Sequence, residues 1–570
     1  MRVQMLLQGL YLLTETTGRD ALKSTRGGPQ RWSLRAMNAD WAGQAVLITC
    51  QHDAVLLLKW LKKFHVRAVC TSVNAYLLLC AEGLRNRLEL IDSPLPGDKA
   101  NEIGVTAERL ARRVDSEITQ CLAETTGLPI TQGWDFWDKL LFVKSVLPVV
   151  EWLRTHSLQH LPDRLAICFF ANTQDYFHPS RIRSQIFADA LRRAGKRVAK
   201  IPIECPFPPP YIPGVWRSSF RTSAHHLQGS RLVHLPSTFY AQAELAERYG
   251  SDEFLALESP FYETVLHGRR IELDRSSPVV RDLPFDANVP RGIYQTFLKE
   301  LGLAELDGIS LQLDHWLERL AFQFRAFKML AMLREKYGVS LAALSDHDGG
   351  LFGPVCSAFH DQSEPITIFP HSTICVGPLP RLPSDVIGVM QSVRPLEPFD
   401  GAPLPAPTLV RGSPKAPDAG GKFVIVLNGI DDACGLPVHR LGDLLDFVEA
   451  LAAALLARGL KPILRARPST PVQAHRKLGI EIWDGDLGEL ISGSAACIGV
   501  GQVTSALTRF WCAGVPCVHI QDRKLDLYGS YLLPAKGVEW FVGRPFMEAL
   551  PQVLGFVDGL VASARSASLR

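Results

Sequence analysis

The segment GVGQVTSALTRFWCAGVPCVHI (499–520) places two glycines, two hydroxyls and a helix start side by side. An apolar strand runs into Gly499–Gly501, and a helix opens near Val503 with Thr504 and Ser505 in its first turn. Unpaired N–H groups at such a start, joined by the hydroxyls, form a phosphate-sized anion site. Plain Ser/Thr capping uses the same residues. A second group lies in LAALSDHDGGLFGPVCSAFHDQSEPITIFPHST (341–373), where a strand ends at Asp346 and Asp348 and a later one at His371. Carboxylates at the carboxyl end of a parallel strand suit proton transfer. Asp-Gly turns and helix caps draw on the same residue types, and a hydrogen-bonded structural histidine is the alternative for His371. In the last third, Asn428-Gly429 follows a strand, and glycine there lets a ligand approach the backbone closely, although Asn-Gly is also a turn signal. Arg465 and Arg467, in KPILRARPS (461–469), offer permanently charged donors or a solvated strand exit.

The elements that must position these residues read as α/β. From Gln44 onward short β-branched runs (AVLITC, VRAVCTS, LELIDSP, LAICFFA) alternate with helical patterns, the mark of βαβ units and a parallel sheet. Longer helices are predicted near 106–125 and 134–155. CPFPPPYIPG (205–214) is a rigid loop, since proline fixes φ and removes donors. The Pro/Gly/Ala stretch from 394 to 421 reads as a linker. A second α/β unit then begins with KFVIVLNG (422–429). The expected layout is an extension over 1–40, a Rossmann-like domain over 41–393 with a helical insertion near 270–330, the linker, and a second Rossmann-like domain over 422–570.

Strand, Gly, Thr/Ser at a helix start, and Ala513-Gly514-Val515-Pro516 before the next strand resemble the nucleotide-binding half of the two-Rossmann glycosyltransferases called GT-B. The likeness covers about the last 150 residues best and implies two Rossmann-like domains facing a cleft. It implies a donor phosphate resting on Thr504 and Ser505, with the loop at Asn428 and Gly429 beside it. KPILRARPS stands where bacterial surface-polysaccharide and sialyltransferase-like members carry a strand ending in His-Pro, whose histidine contacts the donor. Here Arg467 replaces that histidine and can hold the same phosphate bidentately, which leaves no proton-transfer role at that position. Asp346-His347-Asp348-Gly349 is similar to the acidic-acidic-Gly motif that supplies a catalytic carboxylate in such enzymes, with His347 interrupting the pair. Trp483-Asp484-Gly485-Asp486 falls where the family contacts the nucleotide base.

Sugar transfer through an oxocarbenium-like transition state needs a carboxylate and, for the leaving phosphate, cations or N–H dipoles. Asp346 or Asp348 suits the first role; Arg465, Arg467, Thr504, Ser505 and His371 suit the second. The resemblance implies a nucleotide-sugar donor, by preference a CMP-ulosonic acid such as Kdo or a sialic acid, and a glycan or lipid-linked glycan acceptor of a bacterial surface polysaccharide. No cofactor and no metal is expected, and retention or inversion is left open. Two other readings stand beside it: a CDP-alcohol polyol-phosphate transferase, against which Arg467 argues, and a catalytically silent GT-B binding module.

Composition narrows the class. A chain of 570 residues, 47% hydrophobic and 21% charged, is neither disordered nor fibrous and needs more than one core. A net charge of +3 argues against nucleic acid as a partner. Twelve cysteines without CxxC or zinc spacing read as reduced core residues of a cytoplasmic protein. MLLQGLYLL (5–13) has the length of a signal-peptide core, yet TETTGRD lacks a cleavage site, so a loose helix or an early start of the open frame is expected. Basic residues over 181–200 and in SARSASLR at the end suit either a solvated helix face or the inner surface of the cytoplasmic membrane. Trp134, Trp137, Tyr176, Phe177, Tyr211 and Trp216 can stack on sugars or pack internally.

Overall fold

The computed structural model describes residues 45–170, 180–203, 216–219, 227–234, 254–257, 269–275, 286–345, 351–364, 366–369, 420–428, 435–466, 470–501, 505–521, 538–541 and 545–568. The chain begins with β1 (Ala45–Ile48), α1 (Gln51–Phe64), β2 (Arg67–Cys70), α2 (Val73–Ala81), β3 (Leu88–Leu90), α3 (Gly97–Thr126), α4 (Phe136–Thr155), β4 (Arg164–Phe170), α5 (Ser180–Arg193) and β5 (Arg197–Ile203). There follow β6 (Trp216–Ser219), β7 (Arg231–His234), β8 (Phe254–Leu257), β9 (Arg269–Arg275), α6 (Asn288–Glu300), α7 (Ile309–Tyr337), β10 (Ser340–Ser345), α8 (Phe352–Ala358) and β11 (Thr367–Phe369). The last part holds β12 (Lys422–Asn428), α9 (Leu441–Ala457), β13 (Lys461–Ala466), β14 (Glu481–Ile482), α10 (Leu487–Ser492), β15 (Ser494–Gly501), α11 (Ser505–Cys512), β16 (Cys517–Ile520), β17 (Val538–Phe541) and α12 (Phe546–Ser568).

These strands make three sheets: β3-β2-β1-β4-β5, β11-β10-β7-β8-β9-β6 and β14-β13-β12-β15-β16-β17. Every described pair is parallel except β6 with β9. The α/β reading therefore stands; the described strands of 41–393 fall into two sheets that share one apolar cluster. The last strand of sheet one ends at Ile203, and the proline run of 205–214, expected as a rigid loop, lies outside the described residues. The stretch near 270–330, expected as a helical insertion, holds both strand and helix. Residues 269–275 are the strand β9, and α6 and α7 reach Tyr337, where Gly338 at φ 62° accepts the left-handed turn that ends the helix. Both helices belong to the core, for Tyr294, Phe297, Trp316, Leu320 and Leu330 are buried. The strand β12 begins at Lys422, and residues 394–419 of the expected linker lie outside the described residues.

Strand alternation distributes the core. In sheet one Ala45 and Leu47 join a cluster that runs through α3–α8 to Leu232, Leu255 and Leu341 of sheet two. Val46 and Ile48 face the other way, into a cluster with α1, α2, α9 and α12 and with Phe423, Ile425 and Leu427 of β12. Val424 and Val426 face a third, smaller cluster with Leu490, Leu507, Phe510 and Trp511. Burial on both faces explains why these strands read as unbroken apolar runs. Among the described residues, no helix is long and apolar enough to cross a membrane.

Candidate functional site

Sheet three changes its winding direction beside β12. From β12 the chain passes through α9 to β13 on one side, and from β15 through α11 to β16 on the other, while Asn428 pairs with Gly501 in register. The carboxyl ends of β12 and β15 thus mark a topological switch point, the edge at which open α/β sheets take ligands. Glycine is required twice here. Gly501 has φ 90°, in the left-handed region, and a Cβ on Gly499 would lie 2.8 Å from Leu507 Cδ2 and 2.9 Å from His519 Cδ2. Without that Cβ, α11 packs close against β15.

His519, fully buried on β16, donates from Nε2 to the Gly501 carbonyl at 2.8 Å. Burial lowers its pKa to about 4, so the ring is neutral and the proton sits on Nε2. It thereby ties β16 to the last residue of β15. Sequence reasoning took VPCVHI only as a strand; a histidine within an otherwise apolar run was the available signal.

Of the residues singled out in the sequence, the structure brings Asn428 and Ser505 to this edge, as the last residue of β12 and the first of α11. Arg465 is on the neighbouring β13, opposite Val426, and its Nη1 donates to the Trp483 carbonyl at 3.0 Å. One guanidinium donor therefore fastens the exit of β14. Asp346, Asp348, His371, Gly429, Arg467 and Thr504 lie outside the described residues. Asp486 is a helix cap: its carboxylate accepts from Glu489 N at 3.0 Å, a bond that lowers its pKa, and Trp483 Nε1 donates to the Asp486 carbonyl at 3.0 Å.

Sheet one has its own switch point between β1 and β4, since β1 leads to β2 and β3 on one side and β4 leads to β5 on the other. Asp53, buried in the first turn of α1, accepts from Thr49 N at 3.3 Å and from Thr49 Oγ1 at 3.1 Å. Burial raises its pKa, against the lowering effect of those bonds and of the Arg183 charge. Ser184, on α5, lies 3.5 Å from Thr49 through the hydroxyl oxygens. None of these residues was singled out by sequence reasoning. The polar TCQHD (49–53) directly after the first apolar strand was the clue.

Loops at the carboxyl edge of sheet three lie against this edge of sheet one. A Cβ on Gly435, at φ 71°, would stand 2.4 Å from the Thr49 carbonyl oxygen and 3.5 Å from Arg183 Nη1. Asp92, just past β3, accepts from Leu441 N at 2.9 Å and Gly442 N at 3.4 Å, so a carboxylate of sheet one caps α9. Arg440, the residue before that helix, supplies no side-chain cap of its own. Thr470 Oγ1 donates to Asn74 Oδ1 at 3.1 Å, and the Tyr76 hydroxyl lies 3.2 Å from His475 Nδ1.

Several other candidates have structural explanations. Trp134 and Trp137 are 1% and 4% exposed and pack in the core, which removes them as sugar platforms. Tyr176, Phe177 and Tyr211 lie outside the described residues, as does the side chain of Trp216. The turn from Trp134 into α4 is held by buried charge. Asp115 accepts from the backbone of Gly133, Asp135 and Phe136 at 2.7, 2.7 and 3.1 Å. Lys139 lies 2.8 Å from Asp138 and 3.3 Å from Asp135, and Arg319 lies 2.8 Å from Asp138. Burial pushes the Asp115 carboxyl up to about 6, whereas Arg319 and Lys139 overcome burial and hold that of Asp138 low. The basic stretch over 181–200 is likewise not one solvated face. Arg183 and Lys196 are buried, and Lys196 Nζ bonds to the Gln159 and Leu161 carbonyls and to Asp163. Among the described residues there is no cluster of three or more side chains suited to a metal ion.

In comparisons with protein-family models and with curated proteins, nothing matches the chain.

Proposed function

We propose that the chain is a GT-B-type glycosyltransferase that moves a sugar from a nucleotide-activated donor to a bacterial surface glycan. The observation that carries this reading is the meeting of two parallel sheets at their carboxyl edges, where Gly435 lies against Thr49 and Asp92 caps α9. Such a junction suits a two-substrate reaction, because each sheet brings its own switch point to it. The Gly501 turn and the start of α11 suit the donor phosphates, with Ser505, Thr504 and Arg467 as their donors. Asp346 or Asp348 takes the proton of the acceptor hydroxyl as the glycosidic bond forms, and the nucleotide leaves as an anion held by the cations and N–H groups. A CMP-ulosonic acid remains the preferred donor, on the resemblance of the acidic-Gly and Arg-Pro segments to sialyltransferase-like enzymes.

Thermal unfolding with CMP, CDP, UDP and GDP tests the reading. A nucleotide at 100 times its dissociation constant stabilises the native state by about 2.7 kcal/mol. A shift with one nucleotide, lost in Arg467→Ala and Ser505→Ala, is the expected result. No shift with any of the four overturns the transferase in favour of a silent binding module.

A further inference from the structure

At the amino edge of sheet one, opposite the edge just described, a phenylalanine protrudes beside a group of cations. Phe64 ends α1 and is 49% exposed. Its ring lies 5.8 Å from that of Trp60 and carries Lys63 Nζ at 5.1 Å from its centre. Lys59, Lys62, His65 and Arg67, within five positions of it along α1 and the start of β2, are exposed. Arg87, from the turn before β3, donates to the Leu61 carbonyl at 3.0 Å and lies 3.4 Å from His65 Nδ1. Two carboxylates oppose these charges, Glu82 beside Lys62 and Glu89 at 3.5 Å from Arg67. Lys59, Lys62, Lys63, Arg67 and Arg87 against Glu82 and Glu89 give five positive and two negative charges, a local net of +3.

Basic residues at a helix C-terminus complement its dipole, which accounts for Lys62 and Lys63. Arg87 serves the same terminus through the Leu61 carbonyl and Arg67 lies against Glu89, but neither these contacts nor the dipole accounts for a large aromatic ring left half in water beside them. Phe64 is one of six exposed large hydrophobic side chains among the described residues, and the one placed beside this basic group. An apolar ring with cations beside it matches a surface that offers acyl chains beneath a layer of negative headgroups.

We propose that this group docks the protein on an anionic lipid bilayer, with Phe64 entering the headgroup layer and the five cations lying over lipid phosphates and carboxylates. The inference stands independently of the proposed transferase activity. α1 spans the height of sheet one, and its 14 residues at about 1.5 Å each set the junction of the two sheets roughly 20 Å from the lipid.

Co-sedimentation of the full chain with phosphatidylcholine vesicles, with and without phosphatidylserine, tests the surface. Binding is expected with phosphatidylserine only, and it should weaken as salt shortens the screening length. Lys63→Glu changes the local charge by two and should reduce vesicle affinity by about tenfold or more. Phe64→Ser should reduce it as well, with thermal unfolding of both variants unchanged because both sites are exposed. Equal binding to neutral vesicles, anionic binding untouched by either substitution, or displacement by a DNA duplex that needs the same lysines would each overturn the proposal.

Discussion

Replacing Gly435 by alanine tests the contact between sheets one and three at a single atom. The added Cβ would stand 2.4 Å from the Thr49 carbonyl oxygen, a backbone atom at the end of a fully buried strand. The same residue has φ 71°, where an L side chain costs roughly 1–2 kcal/mol on its own. Relieving the overlap requires lifting the loop from the end of β1, a distortion of the kind that costs about 1–3 kcal/mol in packed interiors. The sum is a loss of about 2–5 kcal/mol. Gly459 supplies the control, since it has φ 72° and nothing within 4 Å of its absent Cβ, so Gly459→Ala should show the conformational cost alone. Denaturant unfolding of both variants, with amide exchange at Thr49–Asp53, separates the two contributions. Equal losses in the two variants, with unchanged exchange at Thr49–Asp53, would refute the claim that the loop after β12 is pressed onto the end of β1.

Asp92→Ala removes the side-chain cap of α9 and should cost about 1 kcal/mol, read by denaturant unfolding; Asp92→Asn should recover part of it. Lys139→Met removes one of the two cations paired with Asp135 and Asp138 and should cost about 3–5 kcal/mol, so a loss below about 1 would mean the buried charges are not coupled. His519 has a folded pKa of about 4 against 6.5 when free, so its contribution is complete above pH 6.5 and falls by about 3 kcal/mol as the pH drops toward 4. Asp115, raised to about 6, acts in the opposite sense and adds stability as the pH falls through 6. Comparing the wild type with His519→Gln across that range cancels the Asp115 contribution; parallel stability curves would show that His519 takes no part.

The strands at 422–428, 461–466 and 494–501 were legible because each is buried on both faces and bounded by charge, proline or glycine. The division of 41–393 between two sheets was not legible. A βα alternation reads the same whether successive strands pair with one another or with partners far along the chain. Asn428 and Ser505 were found through local signals, an Asn-Gly turn and a hydroxyl at a helix start. Asp92, Gly435 and Asp53 were missed because their significance lies in contacts: Asp92 and Leu441 are 349 positions apart. Gly435 looked like one more loop glycine until Thr49 stood against it.

The apolar cluster shared by α1, α2, α9 and α12 has a consequence for how the protein is made. Sheet one ends at Ile203 and β12 begins at Lys422, so about 220 residues separate the two contributors to that cluster. At roughly 5–20 residues per second of synthesis, the α1 and α2 side waits for about 10–45 s beyond the ribosome before its partners emerge. During that interval the nascent chain presents an incomplete apolar surface. Production of this protein should therefore depend on chaperone capacity and translation speed more than its final stability alone would suggest.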